Sequence, residues 1–329
     1  MNKRIAALIL ALAVLALVVL TGCNTQKKDE EKTKLTVLAL KGPTGIGLSK
    51  LWDDSENKLT KNDYEVTLAS DTSDVSAAAI AGTYDIIAMP VNLASVVFNK
   101  GADYSFLAVN TLGVLYVVEN GNSINSLQDL KGKTVYTTGQ GATPEYIINY
   151  VLKANNIDPE TDLTLEFVAD TSEISSKLAS GTIDVAIIPE PFVTSTKFAS
   201  QTGTYRVALN LTEEWDKVST TSLVQGVIVV SNKLLKNNKE AVKKFLEDYS
   251  ASVKYINENV EDASKIVAKY GIVPSEKVAQ NAIPNCNIVC VYGDVGVSYM
   301  KGMLGVLFEA NPKSVGGKMP SEDFYANVK

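Results

Sequence analysis

The sequence contains few side chains that could take part in covalent or metal chemistry. It has 329 residues and no histidine, which excludes a Ser-His-Asp triad and any metal site with a histidine ligand. Cys286 and Cys290 lie four positions apart. On a helix this spacing would hold the two Cβ atoms about 5–6 Å apart, beyond disulfide reach, whereas in a loop the two sulfurs could meet. Both arrangements stay open, and two cysteines without another soft ligand are a weak signal for a metal site.

Glu190 has an unusual position for an acidic residue. It lies between Pro189 and Pro191, directly after an apolar run that predicts a buried strand. A carboxylate at this place can accept hydrogen bonds from an N–H group or an amine of a bound molecule. Alternatively, it can cap the helix that follows, or form a hydrogen bond between two parts of the protein if the chain folds into two lobes.

Two loops contain both glycine and threonine, and each follows a predicted strand and precedes a predicted helix. Their sequences are Lys41-Gly-Pro-Thr-Gly-Ile-Gly47 and Thr138-Gly-Gln-Gly-Ala-Thr-Pro-Glu145. Backbone N–H groups and the helix dipole face a ligand at such a position. The first loop matches neither a P-loop nor a dinucleotide fingerprint. In the second loop we predict Thr143 as the N-cap and Pro144 as the first helical residue.

A stretch of the chain occurs twice, and it sets the predicted architecture. Residues 71–90 read DTSDVSAAAIAGTYDIIAMP and residues 170–189 read DTSEISSKLASGTIDVAIIP, so matching residues are 99 positions apart without a gap. Each copy predicts a helix, a glycine cap and a strand buried on both faces. A chance match between two ordinary αβ units is the alternative. Because the similarity extends in both directions, we predict two α/β lobes whose strand ends face a common cleft.

The remaining segments have weaker signals. We predict strands at Tyr64–Ser70 and Leu163–Ala169, and a mostly helical segment after Asn232 that packs on the first lobe. Within that segment, Ile283–Asp294 contains proline and glycine and is predicted as a loop, and Ser298–Ala310 as the last helix.

The amino-terminal residues have the pattern of a secretory signal. Lys3 and Arg4 precede the apolar run Ile5–Leu20, although a short membrane anchor is the alternative reading. The sequence Leu20-Thr-Gly-Cys23 resembles the lipobox of bacterial lipoproteins, in which the cysteine is lipidated and becomes the first residue. We therefore predict a signal peptide over residues 1–22, lipidation at Cys23 and a polar, flexible tether over residues 23–33.

Charge and composition disfavour several classes of function. The formal charge is −6 and no basic patch occurs, which argues against nucleic-acid binding. An enzyme is disfavoured because histidine, a nucleophile motif and a metal cluster are all missing. The only arginines are Arg4 and Arg206, and Arg206 begins a strand away from the expected cleft end. An anionic ligand would therefore have to bind backbone N–H groups, threonines and Lys41.

Four stretches of the sequence resemble one protein family. They are the lipobox at Cys23, Gly42-Pro-Thr-Gly45, Ser126-Leu-Gln-Asp-Leu-Lys-Gly-Lys-Thr-Val135 and Ala186-Ile-Ile-Pro-Glu-Pro-Phe192. Together they resemble the substrate-binding proteins of nitrate/sulfonate/taurine and thiamine-precursor ABC importers. The resemblance implies a type II periplasmic-binding-protein fold, which has two α/β lobes, a hinge and an interlobe cleft. It places the first lobe at 34–115 plus 228–329 and the second at 116–227.

The resemblance also implies a function and a location. The expected protein is not an enzyme and has no cofactor or metal. It is a monomer that captures a small molecule (sulfonate-, nitrate- or pyrimidine-precursor-like) and delivers it to an ABC permease and its ATPase. It is expected outside the cytoplasm, lipid-anchored to the bacterial cell membrane. The alternatives are an amino-acid or methionine-type lipoprotein receptor and a sensor lipoprotein without a transport role.

The predicted ligand-binding residues lie at the strand ends of both lobes. They are Gly42, Pro43, Thr44, Gly45, Pro90, Val91, Asn92, Asn110, Thr111, Thr138, Gly139, Gly141, Ala142, Thr143, Glu190 and Pro191. For each of them a structural role is the alternative, since glycines serve turns and prolines end strands. Trp52 and Tyr116 could stack on a ring of the ligand, with core packing as the alternative.

Overall fold

The computed structural model describes residues 32–326 and residue 328, and the fold discussed here is that of the unit Lys34–Lys329. The predicted signal peptide, Cys23 and most of the predicted tether lie outside the described residues. Among the described residues, no helix combines the length and the apolar character that a membrane span requires.

The strands of the described chain form two sheets. In chain order they are β1 (Lys34–Leu40), β2 (Asp63–Ala69), β3 (Ile86–Pro90), β4 (Tyr104–Leu112), β5 (Leu115–Asn120), β6 (Thr134–Thr137), β7 (Thr164–Phe167), β8 (Val185–Pro189), β9 (Tyr205–Asn210), β10 (Val224–Ser231) and β11 (Ile288–Tyr292).

Helices connect the strands and cover the sheets. The α-helices of the described chain are α1 (Pro43–Ile46), α2 (Ser49–Glu56), α3 (Thr72–Ala81), α4 (Val91–Asn99), α5 (Thr143–Ala154), α6 (Thr171–Ala179), α7 (Phe192–Ala199), α8 (Leu211–Asp216), α9 (Asn232–Asn237), α10 (Lys239–Glu258), α11 (Val260–Lys269), α12 (Glu276–Ala282) and α13 (Gly293–Ala310). Short 3₁₀ turns lie at Leu127–Leu130, Ile283–Asn285, Pro312–Val315 and Glu322–Phe324.

Five strands of the first sheet have the same topology as the five strands of the second sheet, and among the described strands β11 has no counterpart. The first has the order β11-β4-β10-β3-β1-β2, and the second has the order β7-β6-β8-β5-β9. In the first sheet, β1 is parallel to its neighbours β2 and β3, and β10 is antiparallel to β3 and β4. In the second sheet, β6 is parallel to β7 and β8, and β5 is antiparallel to β8 and β9. The chain passes from β4 of the first sheet to β5 of the second sheet. It returns from β9 of the second sheet, through α8, to β10 of the first sheet. Each sheet therefore contains one strand, β10 or β5, that the chain enters from the other sheet. The predicted α/β class and the like topology of the two halves are confirmed.

The duplicated stretch forms equivalent structure in both sheets. Asp71 and Asp170 each cap a helix, because their carboxylates accept hydrogen bonds from the backbone N–H groups two residues on, at 2.6 and 2.8 Å. Gly82 and Gly181 follow those helices with φ of 67° and 73°, in the left-handed region that favours glycine. Strands β3 and β8 come next, and both are buried. The predicted helix, glycine cap and buried strand are confirmed in both copies.

Both faces of the first sheet are covered, as its apolar strands predict. Leu38 and Ile87 pack into one core with α4 and α13, whereas Val37 and Ile86 pack into another core with α10. The carboxyl-terminal segment therefore packs on the first sheet, as predicted. The lobe boundaries stay a prediction. The predicted second lobe ends at residue 227, whereas β10 pairs within the first sheet from Val224 onward.

Several local predictions are wrong. Ala142, not Thr143, is the N-cap of α5, and no side chain caps this helix. The predicted loop Ile283–Asp294 contains β11, the edge strand of the first sheet, whose β-branched residues pair with β4. Helix α13 begins at Gly293, before the predicted start at Ser298.

Candidate functional site

The strand ends of the two sheets face each other, and their loops are in contact. Asn92 follows β3 of the first sheet, and Thr143 follows β6 of the second. The Thr143 hydroxyl donates a hydrogen bond to Asn92 Oδ1 at 2.8 Å, which accounts for its failure to cap α5. A Cβ atom placed on Gly42 would lie 4.0 Å from Pro191 Cδ, so the first loop also touches the loop after β8.

A polar cluster lies at the cleft edge of the first sheet. Gly226 pairs with Pro90 on one side and with Thr111 on the other. A Cβ atom on Gly226 would lie 2.4 Å from Asn110 Oδ1 and 2.9 Å from Thr44 Cγ2. Only glycine fits at this point of β10, so Thr44 and Asn110 can approach the strand closely. The sequence prediction did not include Gly226, although a glycine inside an apolar strand was the available signal.

The Glu190 side chain bonds to the protein itself. Its carboxylate accepts hydrogen bonds from the backbone N–H of Thr194 at 3.1 Å and from the Thr194 hydroxyl at 2.9 Å. The side-chain amide of Asn285, which precedes β11 of the first sheet, donates to the same carboxylate at 3.5 Å. Only 2% of Glu190 is exposed, and burial raises the pKa of its carboxyl group to about 7 against the lowering effect of these hydrogen bonds.

Asn285 joins the two sheets through a second contact. Its backbone carbonyl accepts a hydrogen bond from the Tyr116 hydroxyl at 2.9 Å. Burial raises the pKa of the Tyr116 hydroxyl, so this group stays a neutral donor. Trp52 stacks on Tyr270 with a centroid separation of 4.0 Å. Tyr116 is buried in the core of the second sheet, whereas Trp52 is only partly buried. Asn285 is a further contact that the sequence prediction did not include.

The other predicted residues differ in their surroundings. Val91 is fully buried in the core. Gly45 is required sterically, because a Cβ atom there would lie 2.7 Å from the carbonyl oxygen of Leu40. The Thr138 hydroxyl lies 3.1 Å from the Thr171 hydroxyl. Residues Gly139, Gly141 and Ala142 form the turn that leads into α5.

The sequence of the chain matches the model of a known family. The family model described as ABC transporter, phosphonate, periplasmic substrate-binding protein matches residues 50–282 of the chain. The chain belongs to this family. It is the substrate-binding component of an ABC transporter, and the family is one of extracytoplasmic binding proteins and not of enzymes. Among curated proteins, none matches the sequence significantly.

Solved structures show the same fold for this binding protein. An ABC transporter structure from Parabacteroides distasonis is 21% identical and has a TM-score of 0.77, with 91% of this chain and all of the other covered. The aliphatic sulphonate binding protein SsuA from Escherichia coli is 15% identical, with coverage of 88% and 92% and a TM-score of 0.69. The nitrate-binding protein NrtA from Synechocystis is 16% identical, with coverage of 91% and 85% and a TM-score of 0.61. The predicted type II fold is confirmed.

A cavity of about 550 Å³ lies beside the cleft of the binding protein, where the two sheets approach. Gly42 and Pro191 line it from the two sides, with Phe192 and Ile272 as apolar walls. Lys41 contributes an ammonium group that forms no ion pair within the described part of the chain. The cavity therefore offers a cation beside apolar surface.

Within the described part of the chain, no arginine side chain lies at the cleft. Arg206 is at the opposite end of β9, where its guanidinium binds the buried carboxylate of Glu119 and the carbonyl oxygen of Ile124. The predicted position of Arg206 away from the cleft is thus confirmed. Cys286 and Cys290 are both free thiols. Within residues 32–326, no cluster of acidic and cysteine side chains could hold a metal ion.

Proposed function

We propose that this binding protein captures a small molecule (sulfonate-, nitrate- or pyrimidine-precursor-like) in the cleft between its two sheets and delivers it to the permease. The supporting observation is the hydrogen bond between Thr143 and Asn92, which joins loops at the strand ends of both sheets. Such strand ends are where open α/β sheets bind ligands. The proposed ligand contacts remain the sixteen predicted residues, with Gly226 and Lys41 added.

The two halves are proposed to move as lobes. The first comprises residues 34–115 and 228–329, and the second comprises residues 116–227, joined by the crossings that precede β5 and β10. The cleft then opens when the Thr143–Asn92 contact separates. In this proposal the protein is a monomer, which size-exclusion chromatography with light scattering measures directly.

A thermal-shift screen tests the proposed function. The probes are methylphosphonate, ethanesulfonate, taurine, nitrate, cytosine and methionine. A solute at a hundred times its dissociation constant adds about 2.7 kcal/mol to the free energy of unfolding. That corresponds to several degrees in Tm. A shift with an anion or cytosine supports the proposal, a shift with methionine alone supports the amino-acid receptor, and a flat screen contradicts solute capture by this cleft.

Lipid anchoring is a separate part of the proposal. It rests on the sequence Leu20-Thr-Gly-Cys23. The test is membrane fractionation of bacteria that express the wild-type protein or the Cys23→Ser variant. We expect the wild type in the membrane fraction and the variant outside it. The Cys290→Ser variant is the matched control, and equal distribution of wild type and Cys23→Ser would contradict the anchor.

A further inference from the structure

One buried donor at the cleft edge has no partner. The side-chain amide nitrogen of Asn110 is buried and forms no hydrogen bond with any described residue, and the whole residue is inaccessible to solvent. Buried polar groups in folded proteins are nearly always paired. Other buried polar atoms of the described chain also have no partner, so the position of this amide N–H₂ group at the cleft edge is what makes it a candidate ligand contact.

The neighbours of Asn110 hold its side chain in one orientation. The Thr111 hydroxyl donates a hydrogen bond to Asn110 Oδ1 at 3.2 Å, which occupies the acceptor end of the amide. Gly226 leaves the space into which that oxygen fits, since a Cβ atom there would lie 2.4 Å from it. The donor end remains free, and no acceptor within the described chain bonds to it.

Asn110 also lies at the correct edge of the first sheet. Its neighbour Thr111 pairs with Gly226, which pairs in turn with Pro90. Asn92, two residues after Pro90, makes the hydrogen bond to Thr143 of the second sheet. The unpaired amide is therefore part of the same polar edge that meets the second sheet.

The second copy of the duplicated scaffold supplies an internal comparison. Asn210 ends β9, as Asn110 stands near the end of β4, and the sequences around the two align at an offset of 100. Asn210 Oδ1 accepts from the Thr212 backbone N–H at 2.9 Å, and its amide donates to Glu213 Oε1 at 3.2 Å. Asn210 thus caps α8 with both ends satisfied. No helix follows Asn110, so the same residue has no capping role there.

We infer that Asn110 donates a hydrogen bond to an acceptor atom of the captured solute. The inference rests on the proposed function of the cleft. An amide donor selects an oxygen or ring-nitrogen acceptor, such as an oxygen of a phosphonate, sulfonate or nitrate group or a pyrimidine carbonyl. It disfavours a solute that presents an ammonium group at this point.

The test uses the panel member that binds the wild-type protein most tightly in calorimetry, from methylphosphonate, ethanesulfonate, nitrate and cytosine. Asn110→Asp replaces the donor with an acceptor, and Asn110→Leu removes it at similar size. We expect both variants to bind the probe at least about tenfold more weakly. Asn110→Leu also leaves the buried Thr111 hydroxyl without its acceptor, so we expect this variant to lose stability as well as binding. A purely structural asparagine would show the loss of stability without the loss of binding.

Asn210→Ala is the matched control. We expect it to lower the Tm, because it removes a helix cap, and to keep the dissociation constant within twofold of the wild-type value. Binding within twofold by both Asn110 variants would overturn the inference and leave the cleft function standing. Asn110→Ala covers the case in which the other variants fail to fold. If Asn110→Ala lowers the Tm but binds the probe as tightly as the wild type, Asn110 has a structural role and the inference is overturned. A wild-type protein that binds no probe would overturn the proposed function together with the inference.

Discussion

Replacing Glu190 with glutamine should remove a pH dependence from the stability of the protein. The carboxyl group is buried between the sheets and hydrogen-bonded by Thr194 and Asn285, with no cation in hydrogen-bonding contact. The more distant Lys197 ammonium only partly offsets the effect of burial, which raises the pKa of this carboxyl to about 7. Glutamine has nearly the same shape and cannot ionise. Its N–H₂ group replaces one acceptor oxygen at every pH, so the charge is isolated by the pH dependence of stability and not by the stability at one pH.

The sign follows from proton binding in the two states. The ordinary pKa of the carboxyl is 4.5, against about 7 in the folded protein. Between these values the folded state keeps a proton that the unfolded chain has released, so the free energy of unfolding falls as pH rises. At 1.36 kcal/mol per pKa unit the full loss is about 3 kcal/mol, complete above pH 7. The chain contains no histidine, so no other ordinary side chain titrates near pH 6–7.

The assay is urea denaturation at pH values from 5 to 8. We expect the wild type to lose about 2–3 kcal/mol more than Glu190→Gln over this range. Glu166→Gln, which alters an exposed carboxylate on β7, should show the wild-type profile. Parallel profiles for the wild type and Glu190→Gln would refute the reasoning, because they would mean that the buried carboxyl titrates normally.

Two further predictions concern the scaffold. Gly113→Ala should destabilise the protein by about 1–3 kcal/mol in urea denaturation, because the new Cβ atom would lie 2.1 Å from Thr212 Oγ1. Gly305→Ala, in a helix with open space around it, should be neutral or stabilising, and an equal loss in both variants would contradict the clash. Asp71→Ala and Asp170→Ala should each lower the unfolding free energy by about 1 kcal/mol through loss of a helix cap. No change in either variant would show that these caps do not contribute.

The sequence predicted the two-sheet architecture because its signals were local and duplicated. Asp71 and Gly82 mark the ends of one helix, and their counterparts mark the ends of another. The positions of the cleft loops followed, since each comes after an apolar strand. β11 was not predicted, because its pairing with β4 depends on a strand about 180 residues earlier in the chain.

The side-chain partners at the cleft were less predictable, because they depend on distant segments. Thr143 was predicted to cap its own helix, but Asn92 of the other sheet offers its hydroxyl a partner. Glu190 was proposed as a ligand contact, and its carboxylate bonds to Thr194 and Asn285. Nothing near Asn285 in the sequence identifies this contact, because Glu190 lies 95 residues away.

The equivalent loops of the two copies each provide a contact across the cleft. Asn92 follows β3 and accepts a hydrogen bond from Thr143, whereas Glu190 follows β8 and accepts one from Asn285. Neither contact is an ion pair, and a typical hydrogen bond contributes only about 0.5–1.5 kcal/mol net. These two hydrogen bonds alone are in the range that binding of one solute molecule can offset, whereas the Tyr116–Asn285 hydrogen bond and apolar contacts also join the two sheets. If the two halves move as the proposed lobes, solute contacts would add to these hydrogen bonds and favour the closed arrangement.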